Sequence, residues 1–289
     1  MDEIWILFAL ISAFSLATAD ALTKNTVTKE NEYIVGWLRL ALSLPLLLPA
    51  MFIEGIPRPD KTFYIAAGTA LPLEIGAYYL YIKALRVSPL GLTIPFLSFT
   101  PIFIIGVSYL ILGEDISFRG ALGIFLVALG GYGLNFTGLK GDVLLPFRNI
   151  AKEPGSIMML FVSAIYAVTA SLGKVCITHS SPIFFGAAYY VVLSVLFLPF
   201  ALPQLKRHGI KGTNMKISLA AGVFTSCMVI SHMLAMNIGK AAYMVSVKRT
   251  SMIISVLYGF FLFGEKHLVQ RLLGVAMMMC GIILIAGAR

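Results

Sequence analysis

Ten apolar runs, each close to the length of a membrane-spanning helix, follow one another along the chain with only short polar breaks between them. They read as Ile4 to Thr23, Tyr33 to Ile53, Phe63 to Ile82, Gly91 to Leu112, Phe118 to Phe136, Ser156 to Ile177, Ile183 to Leu202, Ile217 to Ile238, Ala242 to Phe263 and Leu268 to Ala286. An apolar helix of about 20 residues crosses the roughly 30 Å of hydrocarbon in a bilayer, so each run is a candidate span. The runs are continuously apolar, whereas barrel strands would alternate over about 10 residues, so the spans are helices. An even number of spans puts both termini on one side. With 59% apolar and 12% charged residues and a mean hydropathy of +0.91, a water-soluble domain is excluded. The acidic start Met1-Asp2-Glu3 makes the first run a span and not a signal peptide.

The same composition removes several classes of function. Cys176, Cys227 and Cys280 sit singly inside apolar runs, without metal-ligand spacing or an even count for disulfides, and read as packing residues. The four histidines are scattered, and no nucleophile, metal-protease or phosphate-loop pattern occurs, so neither an enzyme nor a cofactor is expected. A formal charge of +9 is spread over loops at membrane edges, which argues for topology and against nucleic acid. The expected partners are membrane lipids, a small-molecule substrate, and a coupling ion or counter-substrate.

A shift of 151 residues lays the second half on the first without gaps. Ser12-Ala13 falls on Ser163-Ala164, Thr18-Ala19 on Thr169-Ala170, and Gly113-Glu114, Gly123 and Gly130 on Gly264-Glu265, Gly274 and Gly281. Each unit has five spans, an odd number, so the two copies enter the membrane from opposite sides. The expected fold class is an all-α membrane protein of ten transmembrane helices in two inverted five-helix repeats. That topology suits a secondary transporter with its substrate site near the midplane. Gly123, Gly130, Gly274 and Gly281 read as helix-packing positions, and Glu114 and Glu265 as structural carboxylates at the water boundary.

These residues resemble the drug/metabolite transporter superfamily, in particular its ten-span members built from two EamA-type domains. The run ending in Leu112-Gly113-Glu114 with Gly123 and Gly130 looks like the recognisable stretch of that domain, and it recurs as Phe263-Gly264-Glu265 with Gly274 and Gly281. The resemblance implies a first repeat over 1–139, a connecting loop over 140–154 and a second repeat over 155–289. It implies a scaffold and alternating access; relatives carry amino acids, nucleotide sugars, organic phosphates and other solutes.

Cargo must then be read from ionisable residues inside the spans, which are costly unless they face a cavity or a partner. Lys248 and Arg249 lie near the middle of span 9, Glu74 near the middle of span 3, and Arg39 well inside span 2. Two adjacent cations point about 100° apart on a helix, so at least one of the Lys248 and Arg249 pair should face the central cavity. Their counter-charge is either an anionic substrate group or an internal carboxylate, Glu74 or Asp20. Asp20 and Lys24 are spaced i, i+4 as a local ion pair, and Glu74 is matched with Arg39 or serves as a protonatable coupling carboxylate. Asp20 is the second coupling candidate. Tyr78, Tyr79, Tyr81, Tyr189, Tyr190, His232 and Asn237 are candidate lining residues.

The doublet also resembles the Lys-Arg pair in the ninth span of plastid sugar-phosphate/phosphate translocators. That family adds a lysine from span 5, for which Lys174 in span 6 is the substitute here. The expected function is a secondary transporter of a small anionic or zwitterionic metabolite. The alternatives are a proton-coupled exporter of amino acids or cationic compounds, and, of another class, a lipid-headgroup flippase or membrane-embedded enzyme. The expected location is the plasma (inner) membrane as a multi-pass protein. Thirteen of the 22 lysines and arginines lie in the loops after spans 1, 3, 5, 7 and 9 or, as Arg271 does, at the adjoining edge of a span, which puts the termini outside; relatives usually keep them inside.

Overall fold

The computed structural model describes residues 4–27, 30–88, 94–133, 154–209, 214–263 and 268–288. Among them the chain is helical throughout: α1 (Ile4–Val27), α2 (Glu32–Ala41), α3 (Leu44–Glu54), α4 (Lys61–Val87), a 3₁₀ segment (Ile94–Phe99), α5 (Thr100–Leu112), α6 (Phe118–Gly133), α7 (Pro154–Thr178), α8 (Pro182–His208), α9 (Met215–Ile238), α10 (Ala241–Lys248), α11 (Ser251–Phe263) and α12 (Leu268–Ala286). Seven helical segments are long and apolar enough to cross a bilayer, and Phe96–Leu112, Phe118–Gly133 and Leu273–Ala286 are shorter apolar helices. Together they account for the ten spans. Apart from Pro154, the connecting loop 140–154 lies outside the described residues, as does Glu265.

Helices start where a side chain can satisfy free backbone donors. Asn31, Asp60 and Asn214 accept from Tyr33, Phe63 and Ile217 N–H at 3.0, 3.0 and 3.3 Å. Within hydrocarbon the backbone must satisfy itself, so a regular helix is the default and every departure needs a cause.

Three spans depart from it, where continuous helices were expected. Span 2 divides at Leu42 and Ser43 into α2 and α3, because Pro45 has no N–H for the carbonyl one turn earlier. Span 4 passes from the 3₁₀ segment into α5 just before Pro101. Span 9 breaks at Arg249 and Thr250 without any proline. There Thr250 N–H bonds Val247 O three residues back at 3.0 Å, and the Thr250 hydroxyl takes the same carbonyl at 2.9 Å. The breaks in spans 4 and 9 fall at positions related by the 151-residue offset, Phe99 matching Thr250 and Thr100 matching Ser251.

Packing obeys the same pseudosymmetry. Helix α1 lies along α9 and α4 along α7, so span 1 meets span 8 as span 6 meets span 3. The interfaces are built from small residues, as expected where lipid offers no hydrophobic drive. Helix α1 turns Leu7, Leu10, Ile11 and Phe14 outward and buries Ala9, Ser12, Ala13 and Ala17, with Ser12 Oγ donating to Met228 O at 3.1 Å. Helices α6 and α12 cross at their glycines. A Cβ on Gly123 would lie 2.7 Å from Gly281 O, and one on Gly130 would lie 2.6 Å from Gly274 O. Each glycine thus packs on the counterpart of the other, as two antiparallel copies about a two-fold axis must. Of the cysteines, Cys176 is buried as expected, whereas Cys227 and Cys280 face outward.

Candidate functional site

The breaks surround a cavity of about 170 Å³ among spans 1, 2, 3, 4, 6, 7, 8 and 9. Its polar wall comprises Arg39, Glu74, Tyr78, Tyr81, Thr100, Tyr166, Thr169, Tyr189, Tyr190, Thr225, His232, Lys248 and Arg249. Six of the eight membrane residues first put forward as substrate contacts besides Arg249 line it: Lys248, Glu74, Arg39, Tyr78, Tyr189 and His232. Lys174 and Asn237 do not.

Arg39 is buried at the last turn of α2, just before the break in span 2. Its Nη1 donates to Asp20 Oδ1 at 2.7 Å and its Nε to Thr225 Oγ1 at 3.1 Å. This corrects two expected pairings. Asp20 is matched with Arg39 and not with Lys24, and Glu74 is not the partner of Arg39. Lys24 instead donates to the carbonyls of Leu85 and Ser88, where α4 ends. Sequence spacing favoured the local i, i+4 pair, but the Asp20 carboxylate is 4% exposed, and a guanidinium with several donors satisfies it better there.

Lys248 and Arg249 occupy the C-terminal end of α10 and the break itself. Among the described residues neither lies within ion-pair distance of a carboxylate. Lys248 Nζ is 3.3 Å from both Met228 Sδ and His232 Nδ1. Arg249 is 5% exposed, its Nη2 donates to Thr100 Oγ1 at 2.8 Å, and its Nε has no partner. The two repeat-related breaks therefore touch: the cation of span 9 is held by the first residue of α5. Glu74 faces the same cavity from α4, beside the Thr169 hydroxyl and in the field of Lys248. The Tyr189 hydroxyl is buried without a partner, while that of Tyr78 is committed to Gly36 O at 2.7 Å.

Lys174 was expected to supply a third cation. It sits at the membrane edge, paired with Glu114 and donating to Gly239 O at 2.6 Å, while Glu114 Oε2 accepts from Ala241 N–H at 2.9 Å. The reason is position: Lys174 lies one turn from the end of α7, where a long stem reaches the interface and the free N-terminus of α10 gathers charge. Glu114, expected as a structural carboxylate at the water boundary, caps α10. Asn237 is exposed at the end of α9, and Tyr79 stacks on Tyr33 with ring centroids 5.8 Å apart.

Sequence reasoning missed Thr100, Thr169, Thr225 and Tyr166. The repeat itself held the signal for one of them. Applied to the charged and aromatic candidates, the 151-residue offset takes Glu74 to Thr225, Arg39 to Tyr190, Tyr81 to His232 and Lys248 to Leu97, and all eight residues line the cavity.

The cavity is off-centre. It continues along Gly173, Ile177, Phe185, Met233 and Met236 of the second repeat toward the side that carries the chain termini. The first-repeat counterparts of Phe185, Met233 and Met236 are Ile34, Ile82 and Leu85, which are buried and do not line the cavity; Ile82 and Phe197 crowd the Cα of Gly36.

With this geometry, the sequence matches the EamA-like transporter family over residues 3–136 and again over 153–287. The chain belongs to that family. It is therefore a transporter of the drug/metabolite superfamily and an integral multi-pass membrane protein. A protein of known crystal structure, 13% identical, superposes on 98% of this chain and 96% of its own with a TM-score of 0.75, a likeness of fold alone. No curated protein matches the sequence of this EamA-like transporter.

Proposed function

We propose that this chain is a secondary transporter that moves a small anionic or zwitterionic metabolite by alternating access. The observation that carries this reading is the pair Lys248 and Arg249, sunk at a helix break in the cavity with no carboxylate within ion-pair distance among the described residues. A buried cation without a partner is strongly disfavoured, and an anionic group on the cargo supplies the missing charge. Thr100 fixes one edge of the Arg249 guanidinium, as suits recognition of a carboxylate or phosphate.

Alternating access is supported by the offset of the cavity. On one side Ile34, Ile82 and Leu85 stand outside the cavity lining, whereas the repeat-related Phe185, Met233 and Met236 on the other side are part of it. Exchanging the conformations of the two repeats would move that extension of the cavity to the other side of the membrane.

The test is a melting screen of purified protein against phosphates, carboxylates, amino acids and amines, since a ligand that binds only the folded form raises the melting temperature. Anions or zwitterions should stabilise it, and stabilisation by simple amines alone would overturn the reading in favour of a cation exporter. Loop charge favours both termini outside. A reporter that works only in the cytoplasm, fused after Arg289, should stay silent; a strong signal would reverse the orientation.

A further inference from the structure

Two carboxylates stand at the cavity, and they are held differently. Asp20 is matched by Arg39, so that pair contributes no net charge. Glu74 is within ion-pair distance of no cation among the described residues. Thr169 and Tyr166 on α7, Tyr189 and Tyr190 on α8, and Lys248 on α10 line the same cavity as Glu74. Lys248 is a cation that shares this cavity with Glu74, and it is also half of the candidate anion seat. His232 on α9 touches Lys248 from the other side.

We propose that Glu74 takes up a proton when an anion occupies Lys248 and Arg249, so that cargo and proton cross the membrane together. This rests on the anion-carrier reading and deepens it. An anion seated on Lys248 takes over the field that favours ionised Glu74 and puts a second negative charge in the same low-dielectric chamber. Like charges confined in this way disfavour joint ionisation, and Glu74 is the carboxylate at the cavity that no cation holds at ion-pair distance among the described residues. The proton comes from water on the side where the anion loads, forms an O–H bond on a Glu74 carboxyl oxygen, and leaves to water on the side of release. No bond in the cargo changes. Thr169 and the tyrosine hydroxyls can accept from the protonated acid. Asp20 does not compete for this role, because a proton there would strand Arg39. A zwitterion, which brings its own ammonium to Glu74, would cross without the proton.

Sulfate is the probe of choice, because it keeps both negative charges across the working pH range and does not itself titrate. Binding of sulfate to the purified full chain is measured by calorimetry in two buffers of different ionisation enthalpy, which counts protons exchanged. The expected result is uptake of about one proton per sulfate, with affinity falling by up to about tenfold per pH unit on the alkaline side. Glu74→Gln should bind sulfate with no proton uptake and no such pH dependence. An infrared carboxylic-acid C=O band that appears on adding sulfate gives the same answer in the wild-type protein should the variant fail to fold. Sulfate binding without proton uptake would overturn the coupling and leave the anion seat standing. Equal uptake in Glu74→Gln would overturn Glu74 as the acceptor. Absence of sulfate binding by protein that still melts cooperatively would overturn the anion reading, and the coupling with it.

Discussion

Position by position, the two repeats place unlike residues around the cavity. Arg39 answers Tyr190, Glu74 answers Thr225, Tyr81 answers His232 and Leu97 answers Lys248. Away from the cavity they place like ones: Gly123 answers Gly274, Gly130 answers Gly281, and Lys24 and Lys174, one position out of register, reach the backbone carbonyls of Ser88 and Gly239, which are related by the offset. The contrast has a physical cause. Helix crossings at backbone contact tolerate no side chain, so both copies must keep glycine there. A cavity wall makes no packing demand of that kind, so its residues can differ between copies. In the proposed cycle a symmetric frame would supply two interchangeable conformations, and an asymmetric wall would give the cargo one orientation in both.

The comparison is broken most severely at Arg39. Arg39→Ala leaves the Asp20 carboxylate buried and unpaired and should cost about 3–5 kcal/mol of stability, whereas Tyr190→Phe at the related position should change the melting temperature little. Asp20→Asn added to Arg39→Ala should restore part of the loss, and denaturation of the three proteins checks it.

Next comes the substitution that writes first-repeat residues into the second, Lys248→Leu with Arg249→Ser. It should weaken binding of the anion found in the ligand screen by about 2–4 kcal/mol, a factor of roughly 30 to 1000, with folding largely preserved. Wild-type affinity in that variant would mean that the cations are not the seat. Arg249→Lys should lose part of the affinity, since it keeps the charge and gives up the planar fork.

Gly123→Leu and Gly274→Leu test the symmetric part. Each forces a side chain into a helix contact at backbone distance and should cost about 1–3 kcal/mol or more, to a similar extent for the two. A normal melting temperature with lost transport would sink the packing account.

The smallest effect is expected at Lys174. Lys174→Met removes the partner of Glu114 and should cost about 1–2 kcal/mol, while affinity stays within about twofold, since the residue is not in the cavity. Loss of binding with unchanged stability would return it to the substrate site.

Much of the architecture could be read from the chain because the bilayer imposes it. Length and continuity of the apolar runs gave spans and helices, and the Gly-Glu stretches at a fixed offset gave the duplication and its inversion. The breaks in spans 2, 4 and 9 were not read. Pro45 and Pro101 were visible signals, but the turn at Arg249 and Thr250 rests on hydroxyl and 3₁₀ hydrogen bonds that leave no mark in hydropathy.

What the sequence determined by itself was the solvent the protein lives in, the count of its spans, and the presence of a few charges too costly to be there without a purpose. Only the tertiary structure decided how those charges are matched: Asp20 with Arg39, Glu114 with Lys174, and Lys248 and Arg249 with neither. Burial energy depends on residue type and depth, which a sequence displays. Pairing depends on distances of a few ångströms between helices far apart in the chain, and those exist only once α1, α2, α4 and α10 have packed.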